Sequence, residues 1–352
     1  MSDKENKKSS PFKYRLILLI ALTIGIIAGY YGLKFYKIYF AGNVTGKEKY
    51  LYVRTGSNLD NLVSEIKQKD ILSDPGSFLE AAEKMNLAKS LKPGRYLLTK
   101  GMNNRSIVNM LKSGNQDAVM LKFQNLRKKE NFAAFLSANL EPDSLTFIRL
   151  LDSAALIEKY GFNTDNSYVM FIPNTYEMYW NTTAPEFVDR MHNEYEKFWN
   201  GERKQKAAAL NLTPIQVSIL ASIVDAEALY DKEMPIIAGL YLNRLNKGIL
   251  LQADPTVIFA NDDFTVKRVT NALLNVQSKY NTYKYAGLPP GPIMMPSIKA
   301  IDAVLNHDSN NYIYMCAKED FSGYHNFAVT VQEHERNAKK YRDALNKRNI
   351  YK

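Results

Sequence analysis

Apolar and polar positions fall into three regimes along this chain. The first is an uncharged run of eighteen residues, Leu16 to Leu33, which as a helix can cross a hydrocarbon core of about 30 Å. Lys7, Lys8, Lys13 and Arg15 precede it, so the positive-inside rule puts residues 1–15 in the cytoplasm and the bulk of the chain outside. A cleaved signal peptide would have a shorter apolar core ending in small residues. This run instead ends in Tyr30-Tyr31-Gly32-Leu33 with Phe35 and Tyr36 beyond, the composition of an interfacial aromatic belt. The reading is a retained transmembrane signal anchor over 16–34, which makes membrane lipid a partner, followed by a juxtamembrane linker over 35–47.

The second regime, residues 48–122, alternates short strand-like and helix-like stretches. Tyr50-Leu51-Tyr52-Val53 predicts a strand and Ser57-Asn58-Leu59 a capped helix start. A second helix follows Asp74-Pro75, Gly94 to Leu98 predicts another strand, and Ser106 to Leu111 another helix. The third regime, residues 123–352, is larger and mixed. From about Asn125 to Trp199 it is largely helical, with Phe132-Ala133-Ala134-Phe135-Leu136 and Phe187-Val188-x-x-Met191 at helical spacing. Tyr312-Ile313-Tyr314-Met315 predicts a strand. The fold class is α+β, with one small unit and one larger domain outside the membrane.

Candidate chemistry centres on Glu227. Thr213-Pro214 is a helix start, an N-cap hydroxyl followed by proline at the first position. Counting from there, Glu227 shares a face with Leu220, Ile223 and Val224. A carboxyl held against aliphatic side chains resists ionisation and can give up a proton near neutral pH, although the segment also reads as a solvated helix glutamate. Asp225 lies two residues away and points to nearly the opposite face. The two cannot straddle one bond as the paired carboxyls of ordinary glycoside hydrolysis do, so Asp225 reads as a solvated or structural charge. Downstream, Tyr241 to Leu245 continues a second helix ended by Gly248. Asp254-Pro255 predicts a turn or loop before an apolar segment, and Gly287-Leu288-Pro289-Pro290-Gly291-Pro292-Ile293 a stiff loop.

Together these pieces carry a resemblance. The ordered set Ala221-Ser222-Ile223-Val224-x-x-Glu227, Asn243-Arg244-Leu245, Leu251-Gln252-x-Asp254-Pro255-Thr256-Val257, Asn281-Thr282-Tyr283 and Gly287 to Ile293 resembles the MltG (YceG-like) endolytic murein transglycosylases. Phe171-Ile172-Pro173-Asn174-Thr175-Tyr176 and Gly323-Tyr324-His325-Asn326-Phe327 resemble two further short elements of that family, and the likeness runs over roughly residues 50 to 345. Where family members carry Glu-Lys-Glu-Thr, this chain has Asp225-Ala226-Glu227-Ala228, and the Leu-Glu-Gly-Tyr lead-in is absent from residues 163–168.

The resemblance implies an inner-membrane enzyme that cuts peptidoglycan glycan strands internally at the MurNAc–GlcNAc β-1,4 bond without water. The muramyl 6-hydroxyl attacks its own anomeric carbon and leaves a 1,6-anhydro end. It implies Glu227 as the sole acid/base, since an intramolecular nucleophile removes the need for a second carboxyl. Asn243, Gln252, Asp254, Thr256, Asn281 and Tyr283 are expected in the cleft wall, with Tyr176 and His325 as further substrate contacts. Asp254 and Arg244 read equally as a structural ion pair, and His325 equally as a structural hydrogen-bonding residue. Residues 48–122 resemble a LysM-like subdomain, which would grip glycan or act as a spacer. Peptidoglycan synthases are the implied protein partners.

Composition narrows the alternatives. The net charge is +10, but the lysines are spread along the chain and no nucleic-acid-binding signature accompanies them, so no nucleic-acid partner is expected. Anionic head groups and stem-peptide carboxylates suit such a field. The only cysteine, Cys316, lies far from the N-terminus, which excludes a lipoprotein. It can form no internal disulfide and reads as a buried small hydrophobe. His192, His307, His325 and His334 lack ligand spacing, so no metal or other cofactor is expected. Two rivals stand against the main reading: a hydrolase, which would release reducing ends, and a non-catalytic peptidoglycan-binding scaffold.

Overall fold

The structure, a computed structural model, describes residues 11–124, 126–266 and 269–348. Lys7, Lys8 and the other residues of the tail up to position 10, and Asn125 at the expected start of the helical stretch, lie outside the described residues. The chain forms two compact units.

The first unit runs to Ala118 and includes Tyr179–Asn181. It begins with α1 (Pro11–Tyr39), whose segment Phe12–Tyr39 has a mean hydropathy of 2.3 and is long and apolar enough to cross a membrane. The helix continues past the uncharged run to Tyr39. There Lys34 and Lys37 reach Glu80 and Asp74, each at 3.4 Å. Next come β1 (Tyr50–Val53), α2 (Leu59–Gln68), α3 (Pro75–Lys84), β2 (Gly94–Leu97) and α4 (Asn104–Ser113). Asn58 and Asn61 close a reciprocal capping box on α2, and Asp74 caps α3 ahead of Pro75. β1 and β2 pair antiparallel, Leu51 opposite Tyr96. Leu51, Val53, Ile66, Phe78, Tyr96, Ile107 and Leu111 fill the core beneath them. The buried Asn104 amide donates to the Ile38 carbonyl at 2.8 Å, satisfying a carbonyl that the end of α1 leaves without a helical partner.

The second unit opens with β3 (Val119–Lys122), then α5 (Lys129–Asn139), α6 (Ser144–Leu151), α7 (Ala154–Lys159), β4 (Thr175–Met178), α8 (Ala184–Phe198) and α9 (Gly201–Ala209). The stretch is largely helical as expected, but residues 160–174 form turns with one short 3-10 segment, and Thr175-Tyr176-Glu177-Met178 pairs antiparallel with β3. Four residues with alternate side chains buried are too short a pattern to read without their partner.

Beyond lies α10 (Pro214–Glu227), started by a reciprocal Thr213–Gln216 capping box with Pro214 at the first position. Every residue from Val217 to Val224 is buried, so the helix is not one-sided as its apolar face implied. It is the central element, packed by α11 (Met234–Asn246), α12 (Asp254–Ala260) and α13 (Ile298–Leu305). Asp254 is not in a loop but is the first residue of α12. Proline at the next position costs nothing there, because first-turn N–H groups have no helical acceptor. The proline-rich loop is tied to α10, with the Ile293 amide donating to Ser222 Oγ at 3.1 Å. A Cβ on Gly291 would sit 2.0 Å from the Asp165 carbonyl oxygen, so only glycine permits that approach. The hairpin β5 (Tyr314–Ala317) and β6 (His325–Ala328), with α14 (Val331–Lys347) packed on it, completes the unit.

Candidate active site

Glu227 is the last residue of α10, where the helix dipole already disfavours negative charge. It lines a cavity of about 430 Å³ with Gln252, Asp254, Tyr283 and His325. Tyr241, Arg244, Tyr314, Cys316 and His334 complete much of its wall. The Glu227 side chain keeps partial access to this cavity but is otherwise packed in protein. Burial, followed by the nearby Asp254 charge, pushes its carboxyl up to about 7. The Tyr241 hydroxyl, donating to Oε1 at 3.1 Å, and the Asp254 backbone amide oppose that rise.

Asp254 is a second carboxyl in the cavity, and Tyr283 donates its hydroxyl to Oδ1 at 2.5 Å. It forms no ion pair with Arg244. The guanidinium of Arg244, 6% exposed, donates instead to Leu250 O at 2.8 Å, Ile313 O at 2.6 Å and Gln252 Oε1 at 2.5 Å. Gln252 is in turn held at a left-handed φ of 52°, uncommon for a residue with a side chain and tolerated where the surroundings enforce it. Asp225 is structural, its Oδ2 accepting from the Ser297 amide at 2.7 Å.

Four of the expected contact residues do not face the cavity. The Asn243 amide donates to Asn310 O at 2.8 Å and Tyr312 O at 3.0 Å, fixing the approach to β5. Thr256 is fully buried against Thr282 Oγ1 at 2.8 Å, and the buried Asn281 amide donates to Leu274 O and Val276 O, both at 2.9 Å. Each uses its polar atoms to shape the loops that carry Gln252 and Tyr283. Tyr176 belongs to an aromatic core, its ring stacked on Phe123 and its hydroxyl donating to Ile172 O at 2.6 Å. An alternating strand turned it inward. Cys316 departs in the opposite direction. It is half-buried and lines the cavity, on a strand that runs from Tyr314 to Ala317 rather than starting at Tyr312.

Two residues were not anticipated. Tyr241 lies one helical turn from Arg244 on the same face of α11, a spacing that could have flagged it. Glu233 carries no local signal, since its partner His325 is 92 residues away.

Replacing Tyr241 with Phe removes a hydrogen bond that favours the ionised form of Glu227. The basic limb of the activity profile should move to higher pH, with the maximal rate reduced about fivefold. A pH–rate series on the variant checks this, and an unmoved limb would refute the coupling.

The description of the matching family model is the YceG-like family, and the match covers residues 51–340. The chain is similar to an endolytic murein transglycosylase of Bacillus subtilis (strain 168), 26% identical over 311 residues, covering 84% of this chain and 85% of the relative. It is 24% identical over 362 residues to an endolytic murein transglycosylase of Streptococcus pneumoniae serotype 2 (strain D39), covering 92% of this chain but 63% of that longer relative. A crystal structure of a yceG-like protein from Listeria monocytogenes shares the fold at a TM-score of 0.54 and 24% identity, over 82% of this chain and 97% of the other. With the family match spanning most of its length, this chain belongs to the YceG-like family.

Proposed function

We infer that this protein is an endolytic murein transglycosylase that cuts the MurNAc–GlcNAc β-1,4 bond within nascent glycan strands and so limits their length. The observation that carries the reading is Glu227 itself, a carboxyl held at about 7 in a cavity that could accommodate a sugar. The likeness to transglycosylases of two genera supports it.

Protonated Glu227 gives its proton to the glycosidic oxygen as the C1–O4 bond breaks. The muramyl O6 then bonds to C1 and its hydroxyl proton passes to the Glu227 carboxylate, which restores the acid. No water enters, so the product ends in 1,6-anhydroMurNAc. Asp254, fixed by Tyr283, contributes charge that keeps Glu227 protonated before attack and stabilises the positive charge developing at C1. Gln252, Tyr283 and His325 are the proposed substrate contacts.

The N-terminal helix anchors the enzyme in the plasma membrane as a single pass. Lys13 and Arg15 at its start favour a cytoplasmic N-terminus, which leaves the catalytic unit extracytoplasmic. The first unit, in the order β1–α2–α3–β2, is proposed as a LysM-like module that grips glycan, and work on nascent strands would place the enzyme beside peptidoglycan synthases.

Mass spectrometry of products from uncrosslinked strands tests the reaction. Internal fragments ending in anhydroMurNAc are expected. Fragments one water heavier would make the enzyme a hydrolase, with Asp254 as its second carboxyl. Bound but uncut strands would favour a scaffold.

A further inference from the structure

We propose that Glu233 and His325 form a positioning pair that presents His325 Nε2 to the Glu227 cavity as the acceptor for an N–H or O–H donor of the glycan, a role that rests on the murein-cleaving reading. Glu233 is 4% exposed, and among the described residues no lysine or arginine pairs with it. Both of its oxygens are committed to a single residue. Oε1 accepts the His325 backbone N–H at 2.9 Å and Oε2 lies 3.1 Å from His325 Nδ1. A carboxylate oxygen accepts, so the geometry places a hydrogen on Nδ1, and in the neutral ring this tautomer carries its lone pair on Nε2.

Among the described residues Nε2 has no hydrogen-bond partner, and it is not one of the sealed polar atoms. His325 itself lines the cavity. The backbone bond locks the Cα of His325 and the Nδ1 bond locks the ring, so the acceptor is held in place before any sugar arrives, a preorganisation that lowers the cost of binding.

The arrangement also links the two ends of the site. Glu233 immediately precedes the first residue of α11. Tyr241, eight residues on and roughly 12 Å along the same helix, donates to Glu227. One helix therefore orients both the acid and the acceptor.

The test uses the full chain in detergent with uncrosslinked glycan strands. His325→Ala and Glu233→Gln should each raise KM about tenfold while kcat stays within about twofold. The double variant should be no worse than His325→Ala alone, because Glu233 acts through His325. Multiplying losses, or an unchanged KM in Glu233→Gln, would overturn the pairing. Nitrogen NMR of histidine-labelled protein, assigned with His325→Ala, reads the tautomer whether or not the enzyme turns over. Nδ1-protonated His325 in the parent and a mixed population in Glu233→Gln are expected, whereas an Nε2-protonated parent would sink the proposal. Absence of anhydro products from the parent would count against the transglycosylase reading and leave the tautomer result standing, so the two failures are separable.

Discussion

Replacing Glu227 with glutamine is expected to cut anhydro-product formation about a thousandfold while making the protein more stable above pH 7. Glutamine keeps the shape and can accept from Tyr241, but it has no proton to give. The stability gain follows from the raised carboxyl. Below its ordinary value of 4.5 the group is protonated both folded and unfolded and contributes nothing. Between 4.5 and about 7 the unfolded chain has released the proton and the native state still holds it, so stability falls as pH rises. Above about 7 that cost is constant. At about 1.36 kcal/mol per pKa unit its upper bound is about 3 kcal/mol, and the open side of the cavity brings it nearer about 2 kcal/mol. Denaturant unfolding at pH 8, run beside the cleavage assay, checks both halves. A glutamine variant that is inactive and also less stable would mean a collapsed site, and one that still cuts strands would remove Glu227 as the acid.

The second large effect is on pH dependence. Since the reactive form is the protonated acid, kcat/KM should fall about tenfold per unit once pH passes about 7. The direction decides between roles. A glutamate working first as a base would lose activity on the acid side instead, as its carboxylate is titrated away. Profiles of the parent from pH 5.5 to 9, with Tyr241→Phe alongside, would measure the limb and its expected displacement to higher pH. A flat profile across that range would refute the shifted carboxyl.

Much of this site was legible in the linear order of residues, and the part that was not has a common cause. Glu227 could be identified because helix start and periodicity place it at the end of an apolar run. Gln252, Asp254, Tyr283 and His325 all face the cavity beside it. Asn243, Thr256, Asn281 and Tyr176 have the same polar or aromatic character in the sequence, yet they turn away to satisfy backbone carbonyls or fill a core. A side chain's hydrogen-bond partner depends on what the fold brings near it, and spacing along the chain does not encode that.

What the sequence by itself determined is the set of local features. These are the membrane-length helix, the capped starts of α2, α3 and α10, the glycine and proline loop, and a carboxyl at the end of an apolar helix. Each arises from interactions within a few residues, so each is written in composition and period. The tertiary structure alone decided that Asp254 and Tyr241 meet Glu227, that β4 is a strand, and that a glutamate at 233 holds a histidine at 325. Those contacts join segments far apart in the chain, and only the packing that buries them sets the charge environment from which the chemistry follows.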